Sequence, residues 1–359
     1  MIDSFFSTIP KLNRYPKLSF GNQVLDIHDY RANPQEGVVM FSIGHEVKDA
    51  KMMRDAFFCL FPQNVWPLVY DFGFFQVKQF NSMKNLTEIF EELLSKNLTV
   101  LAINHTDFEE VNDALYSSFE KSEQDISLTQ ISPKINLEEN SFLYKTCTHE
   151  PNYLNNVQLL GFQNYLNPRN TISSAESMNF QLMRLGTLKE NIQKAEPLIR
   201  ESQIVLMDCH AIESGSYHCN GLHLPNGINA FEMCQLAWFS GMNDMIRGYA
   251  LLNAKGDSAF PQDYHLFAQN LWHFLEGMAN RKTDHPNWHD NFMVYKCQVE
   301  PEVVLSFYKS KRTDRWWYTI PHLHAETPLF FPCNYDDYQE ASHGKLPNSY
   351  FTHTERYEV

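Results

Sequence analysis

The sequence predicts an α/β protein, a single three-layer domain whose mostly parallel sheet is covered by helices on both faces. Three observations carry that expectation. Short apolar runs lack the polar alternation of a half-exposed strand, segments of helical period separate them, and 43% hydrophobic residues over 359 positions supply apolar surface for a large core. A strand buried on both faces reads as continuous apolar sequence, and a parallel neighbour needs a long crossover, which a helix provides.

The elements follow in chain order. GVVMFSI (37–43) precedes the helical segment VKDAKMMRDAFFCLF, and LVYDFG (68–73) comes after it. Next stand NLTEIFEELLSKN, the run LTVLAI (98–103) and DFEEVNDALYSSFEKS. DISLTQI (125–131) and VQLLGF (157–162) continue the series, and two helical stretches lead into QIVLMD (203–208). The helix AFEMCQLAWFSGM precedes IRGYALLNA (246–254), and PQDYHLFAQNLWHFLEGMANR is a long amphipathic helix. No repeat, low-complexity tract or Pro/Gly-rich linker divides the chain. Residues 1–307 are expected to form the α/β domain, and 308–359 an aromatic, irregular extension packed on it.

In open parallel sheets the site lies beyond the carboxyl ends of the strands. Three of those ends are polar. After LTVLAI come Asn104, His105 and Asp107; after VQLLGF come Gln163, Asn164 and Tyr165; after QIVLM come Asp208, Cys209, His210 and Glu213. Asp208 and His210, adjacent but one, face the same way on an ideal strand, while Cys209 points to the other side and reads as core filling.

These positions carry a resemblance. AINHT resembles the GGDHS motif of the arginase, agmatinase and formimidoylglutamase superfamily, GFQNY its DAHxD motif, and LMDCHAIES its SxDxDxxDP motif. RLGTLKENIQKAEPLIRESQIVLMD is similar to the helix and strand before the third motif, and LPNGINAFEMCQL to the segment whose Glu faces the substrate. The likeness spans roughly residues 36–280 and points to the formimidoylglutamase-like branch. The resemblance implies an arginase-like fold and a site for two bridged manganese ions. By position, it also implies His105, Asp208 and His210 as metal ligands, Asp208 and Glu232 as catalytic residues, and Asn104, Gln163, Tyr165 and Glu213 as the ligand pocket.

The pattern departs in its middle motif. Gly161, Gln163 and Tyr165 stand where the family has Asp, His and Asp, and His210 replaces an Asp. Two divalent ions sharing a hydroxide need several carboxylates to offset their charge, and only Asp208 remains in the first shell by this alignment. A binuclear manganese site is therefore not expected. Either no metal or a single divalent ion, manganese or zinc, on His105, Asp208 and His210 is. The leading functional expectation is a non-catalytic binding, regulatory or scaffold protein; the alternative is a metal-dependent hydrolase of linear amidine or guanidino C–N bonds.

Each candidate has a plainer reading. His105 and Gln163 serve equally as hydrogen-bonding residues of a polar crevice, and Glu232 as a first-turn helix carboxylate. The stretch holding Ser216, His218, Cys219 and His223 reads as a loop, and His285, His289, His322 and His324 as turn histidines. Arg315, Trp316 and Trp317 suit a partner or subunit interface, with intramolecular packing as the other possibility. A net charge of −14 without clustered cations argues against nucleic acid. No apolar run is long enough to span a bilayer, so no membrane insertion is expected. Seven cysteines without a CxxC pair suit a reducing cytoplasm. A small guanidino or formimino ligand and a homo-oligomer or protein partner complete the expectations.

Overall fold

The computed structural model describes residues 2–356 except 13, 64, 79–80, 121–124, 302 and 321–327. His322 and His324 lie outside the described residues. The main sheet is built from β1 (Phe6–Ser7), β2 (Leu25–Asp26), β3 (Val38–Gly44), β4 (Val69–Gln76), β5 (Thr99–Asn104), β6 (Ile126–Ile131), β7 (Leu154–Phe162), β8 (Gln181–Arg184), β9 (Ile204–Asp208) and β10 (Gly248–Leu252). Its order is β1-β4-β3-β5-β10-β9-β6-β7-β8, with β2 also on β4. Apart from the antiparallel β1 on β4, the pairings are parallel. The polar ends of β5, β6, β9 and β10 therefore meet along one edge.

Side-chain alternation sorts the strands into two cores. Met40, Leu101, Ile103, Val205 and Met207 pack beneath the helices Val47–Phe58, Ala230–Met242 and Pro261–Ala279. Phe41, Val100, Ala102, Leu128 and Leu206 pack on the opposite face beneath Ser82–Ser95 and Glu110–Glu120. Two glycines let the helices Ala230–Met242 and Pro261–Ala279 touch backbone to backbone. A Cβ on Gly241 would stand 1.9 Å from the Phe274 carbonyl oxygen, and one on Gly277 2.3 Å from that of Trp238. Among the described residues no helix is long and apolar enough to cross a membrane.

The C-terminal region differs from the irregular extension expected. It forms an antiparallel sheet of β11 (Phe292–Glu300), β12 (Val303–Ser310), β13 (Trp316–Ile320) and β14 (Leu329–Cys333). The boundary expected at 308 falls inside β12, and the sheet begins at Phe292. Its first strand carries a two-residue period, with Tyr295, Cys297 and Val299 turned inward and Lys296, Gln298 and Glu300 exposed, but the exposed apolar pair Met293 and Val294 blurs its start.

Arg315, Trp316 and Trp317 take the intramolecular one of their two readings. Trp316 is 7% exposed and Trp317 1%. The Arg200 guanidinium lies 4.5 Å over the Trp317 ring, and its Nη1 donates to the Trp316 carbonyl at 2.9 Å. Glu196 accepts from Arg200 Nε at 3.0 Å and pairs with Arg315 Nε at 3.1 Å. These contacts clamp the second sheet to the α/β body.

His285, beside this clamp, is pushed down from 6.5 to about 4 by burial and by the charge of Arg200. A histidine whose folded value is depressed favours the folded state fully above its unfolded value. That advantage is lost as pH falls toward the folded value. Stability is therefore expected to decline between about pH 6.5 and about pH 4, and denaturant titrations of His285→Gln should show a shallower decline than the parent protein.

Candidate functional site

The polar strand ends open into a cleft of about 280 Å³, lined among others by Asn104, Ser132, Lys134, Asp208, His210 and Asn253. Asp208 is its best-connected carboxylate. Oδ1 accepts from the His210 backbone N–H at 3.0 Å and the Asn253 amide at 2.9 Å, and His210 Nδ1 lies 3.2 Å away. Oδ2 accepts from the Ser132 hydroxyl at 3.1 Å. Burial alone would raise this carboxyl, but the hydrogen bonds and charge of His210, with the Asn253 amide, hold it below the ordinary range. The chain turns directly after β9 into Cys209–Ala211, which brings the His210 side chain back onto Asp208, while Cys209 is fully buried.

His105 makes its hydrogen bonds to groups other than Asp208. It is 5% exposed, is not among the residues lining the cleft, and sits between the ends of β3 and β10. Nδ1 lies 2.7 Å from the Ala254 carbonyl, which can only accept, so Nδ1 carries the proton; Nε2 then accepts from Ser42 Oγ at 3.1 Å. Burial lowers its pKa, partly offset by the Ala254 bond, and favours the neutral ring. Asn104 is spent on its own turn, accepting from Thr106 N–H at 3.0 Å and donating to the Phe108 carbonyl at 2.9 Å.

The middle strand end is shaped against a carboxylate. Gly161 has φ +80° within a break in the β7–β8 register, a backbone region where a side chain is strained. Gln163, 3% exposed, donates to the Asn226 carbonyl at 3.1 Å and accepts from the Tyr165 hydroxyl. Tyr165 itself is 69% exposed. Glu213 accepts from Ser216 Oγ at 3.2 Å in the loop beyond β9. Glu232 closes a capping box: it accepts the Asn229 N–H at 2.8 Å, Asn229 accepts its N–H at 2.9 Å, and Lys189 Nζ lies 2.9 Å away.

Four residues not singled out from sequence complete the cleft. Ser132 and Asn253 hold Asp208, whereas Gln130 Oε1 and Asn112 Oδ1 are buried without a hydrogen-bond partner among the described residues. Each stands at or near the end of an apolar run or in the helix beside it. The strand-end rule could have found Ser132 and Asn253, which close the ends of β6 and β10.

At the candidate metal positions Asp208 Oδ1 accepts from two donors and Oδ2 from one, His105 hydrogen-bonds through both ring nitrogens, and Gly161 offers no donor atom. Among the described residues no group of three or more His, Cys, Asp or Glu is placed to hold an ion.

No protein-family model matches the chain, and no curated protein does either. Solved structures do. Formimidoylglutamase from Bacillus subtilis superposes with a TM-score of 0.63 at 12% identity, covering 77% of this chain and 97% of that one. The fold is arginase-like. The same arginase-like frame appears in Trypanosoma cruzi formiminoglutamase with Mn²⁺, at a TM-score of 0.59 and 11% identity over 69% of this chain and 95% of that chain. Proclavaminate amidino hydrolase from Streptomyces clavuligerus gives 0.57 and 12%, over 76% and 98%. The arginase-like frame thus joins this chain to structures whose sequences it scarcely shares.

Proposed function

We propose that this chain is a non-catalytic binding protein on an arginase-like frame, and that its cleft holds a small guanidino or formimino compound without hydrolysing it. The observation that carries this reading is the division of hydrogen-bonding capacity around the cleft. The groups that would bind metal are already committed to protein partners, whereas the Gln130 and Asn112 side-chain oxygens are not. Buried acceptors without donors are costly, and a cation rich in N–H groups beside the Asp208 carboxylate satisfies them. The solved formiminoglutamase and amidino hydrolase structures supply the ligand class by analogy of fold.

Calorimetry with a panel of guanidino and formimino compounds, alongside assays for released urea, ammonia or formamide, tests the reading. Binding without release is expected. Asp208→Asn keeps the shape but removes the charge, and is expected to weaken binding at least about tenfold. Release of product in the presence of manganese or zinc would instead establish the hydrolase, and silence in calorimetry across the panel would remove the ligand class.

A further inference from the structure

A larger cavity, about 410 Å³, lies at the opposite edge of the main sheet, where the amino ends of β6, β7 and β9 meet the second sheet. Its lining is acidic, with Asp125, Glu201, Asp244 and Asp284 among it. Arg200 is the one Lys or Arg among its described lining residues, and its guanidinium is taken up by Glu196, the Trp316 carbonyl and the Trp317 ring. The buried Asp284 accepts from His289 at 3.0 Å, Ser310 at 3.0 Å and Thr313.

Two neutral groups in the lining are unmatched. Trp317 Nε1 and Asn156 Oδ1 are buried with no hydrogen-bond partner among the described residues, on side chains of residues 1% and 3% exposed. Asn156 Nδ2 donates to a Glu201 carboxylate oxygen at 3.2 Å, an acceptor-only group, so Oδ1 is fixed as the free acceptor of that amide. One donor and one acceptor without partners, on residues that line a cavity, are a cost that a bound molecule reaching them removes. The remaining walls are flat. His285 lies 5.1 Å from the half-exposed Trp288, 6.1 Å from Trp317 and 6.0 Å from Phe330, ring centre to ring centre.

We infer that this cavity is a second binding site, for a planar nitrogen heterocycle of the lactam or amide class that carries no negative charge. Its acceptor takes the Trp317 N–H, its N–H meets Asn156 Oδ1, and its ring lies against the Trp288 and His285 faces. Phosphate- or carboxylate-bearing molecules are excluded by the absence of an uncommitted cation among the described lining residues.

Adenine, uracil and nicotinamide are the probes, added to the full ¹⁵N-labelled chain while indole N–H resonances are followed. At least one probe should shift the Trp317 indole resonance saturably below about 1 mM. By calorimetry, Trp317→Phe, which keeps the ring and removes the donor, should weaken that probe about fivefold. Trp288→Ala, at a position 47% exposed, should weaken it about as much. No saturable shift with any probe would overturn the inference, with water alone as the occupant. So would binding that both variants leave unchanged.

Discussion

Replacing Arg54 by methionine is expected to cost about 3–5 kcal/mol of stability, because it strands a buried carboxylate. The Arg54 and Asp71 side chains are 3% and 5% exposed, with Nη1 and Oδ2 3.1 Å apart. Nη2 also donates to the Ile9 carbonyl at 2.7 Å and the Pro10 carbonyl at 2.8 Å, so one guanidinium ties the N-terminal segment and the helix Val47–Phe58 to β4. Asp71 would keep only the Gly73 N–H at 2.8 Å. Urea unfolding of Arg54→Met, Asp71→Leu and the double variant checks this. The double variant should recover much of the loss, since removing both charges removes the unpaired one. A single-variant cost below about 1 kcal/mol, the range of an exposed pair, would refute the account.

Trp317→Ala is expected to cost about 3–5 kcal/mol as well, from lost burial and the cavity left behind. The ring lies between Arg200 and the second sheet. Its loss should loosen β11 to β14 more than the main sheet, whose cores do not contain it. Hydrogen exchange should show protection falling in residues 303–320 while β5, β9 and β10 stay protected. A uniform loss through both sheets would mean that the clamp does not separate them energetically.

How much of this was legible in the sequence depended on burial. β3, β4, β5, β9 and β10 were found because apolar residues dominate both faces of each, and β6 and β7 because their buried apolar residues outweigh Ser127, Thr129, Gln130 and Gln158 within the runs. β8 was missed because Gln181 and Leu182 are half-exposed and Arg184 is exposed at the sheet edge. In the second sheet, the strand-forming aromatics sit among charged residues, and their pairing partners are distant or follow turns that carry no hairpin signal.

At the site, the approach of His210 to Asp208 was expected from strand alternation, but it comes instead from the turn Cys209–Ala211 that follows β9. The plainer reading of Glu232 was one the sequence did offer, since Asn229 three residues earlier completes a capping box. The fate of His105 was not readable: its partners Ala254 and Ser42 come from other strand ends, and nothing local to Asn104–Thr106 announces them. Register across a sheet decides such contacts, and a single chain segment does not encode it.

Equilibrium dialysis of the purified chain against manganese, with elemental analysis and anomalous scattering from manganese-soaked crystals, tests the proposal that the cleft does not hold a pair of metal ions. Well below two ions per chain are expected, with no pair of adjacent peaks between His105 and Asp208. Two tightly held neighbouring ions at that place would contradict it.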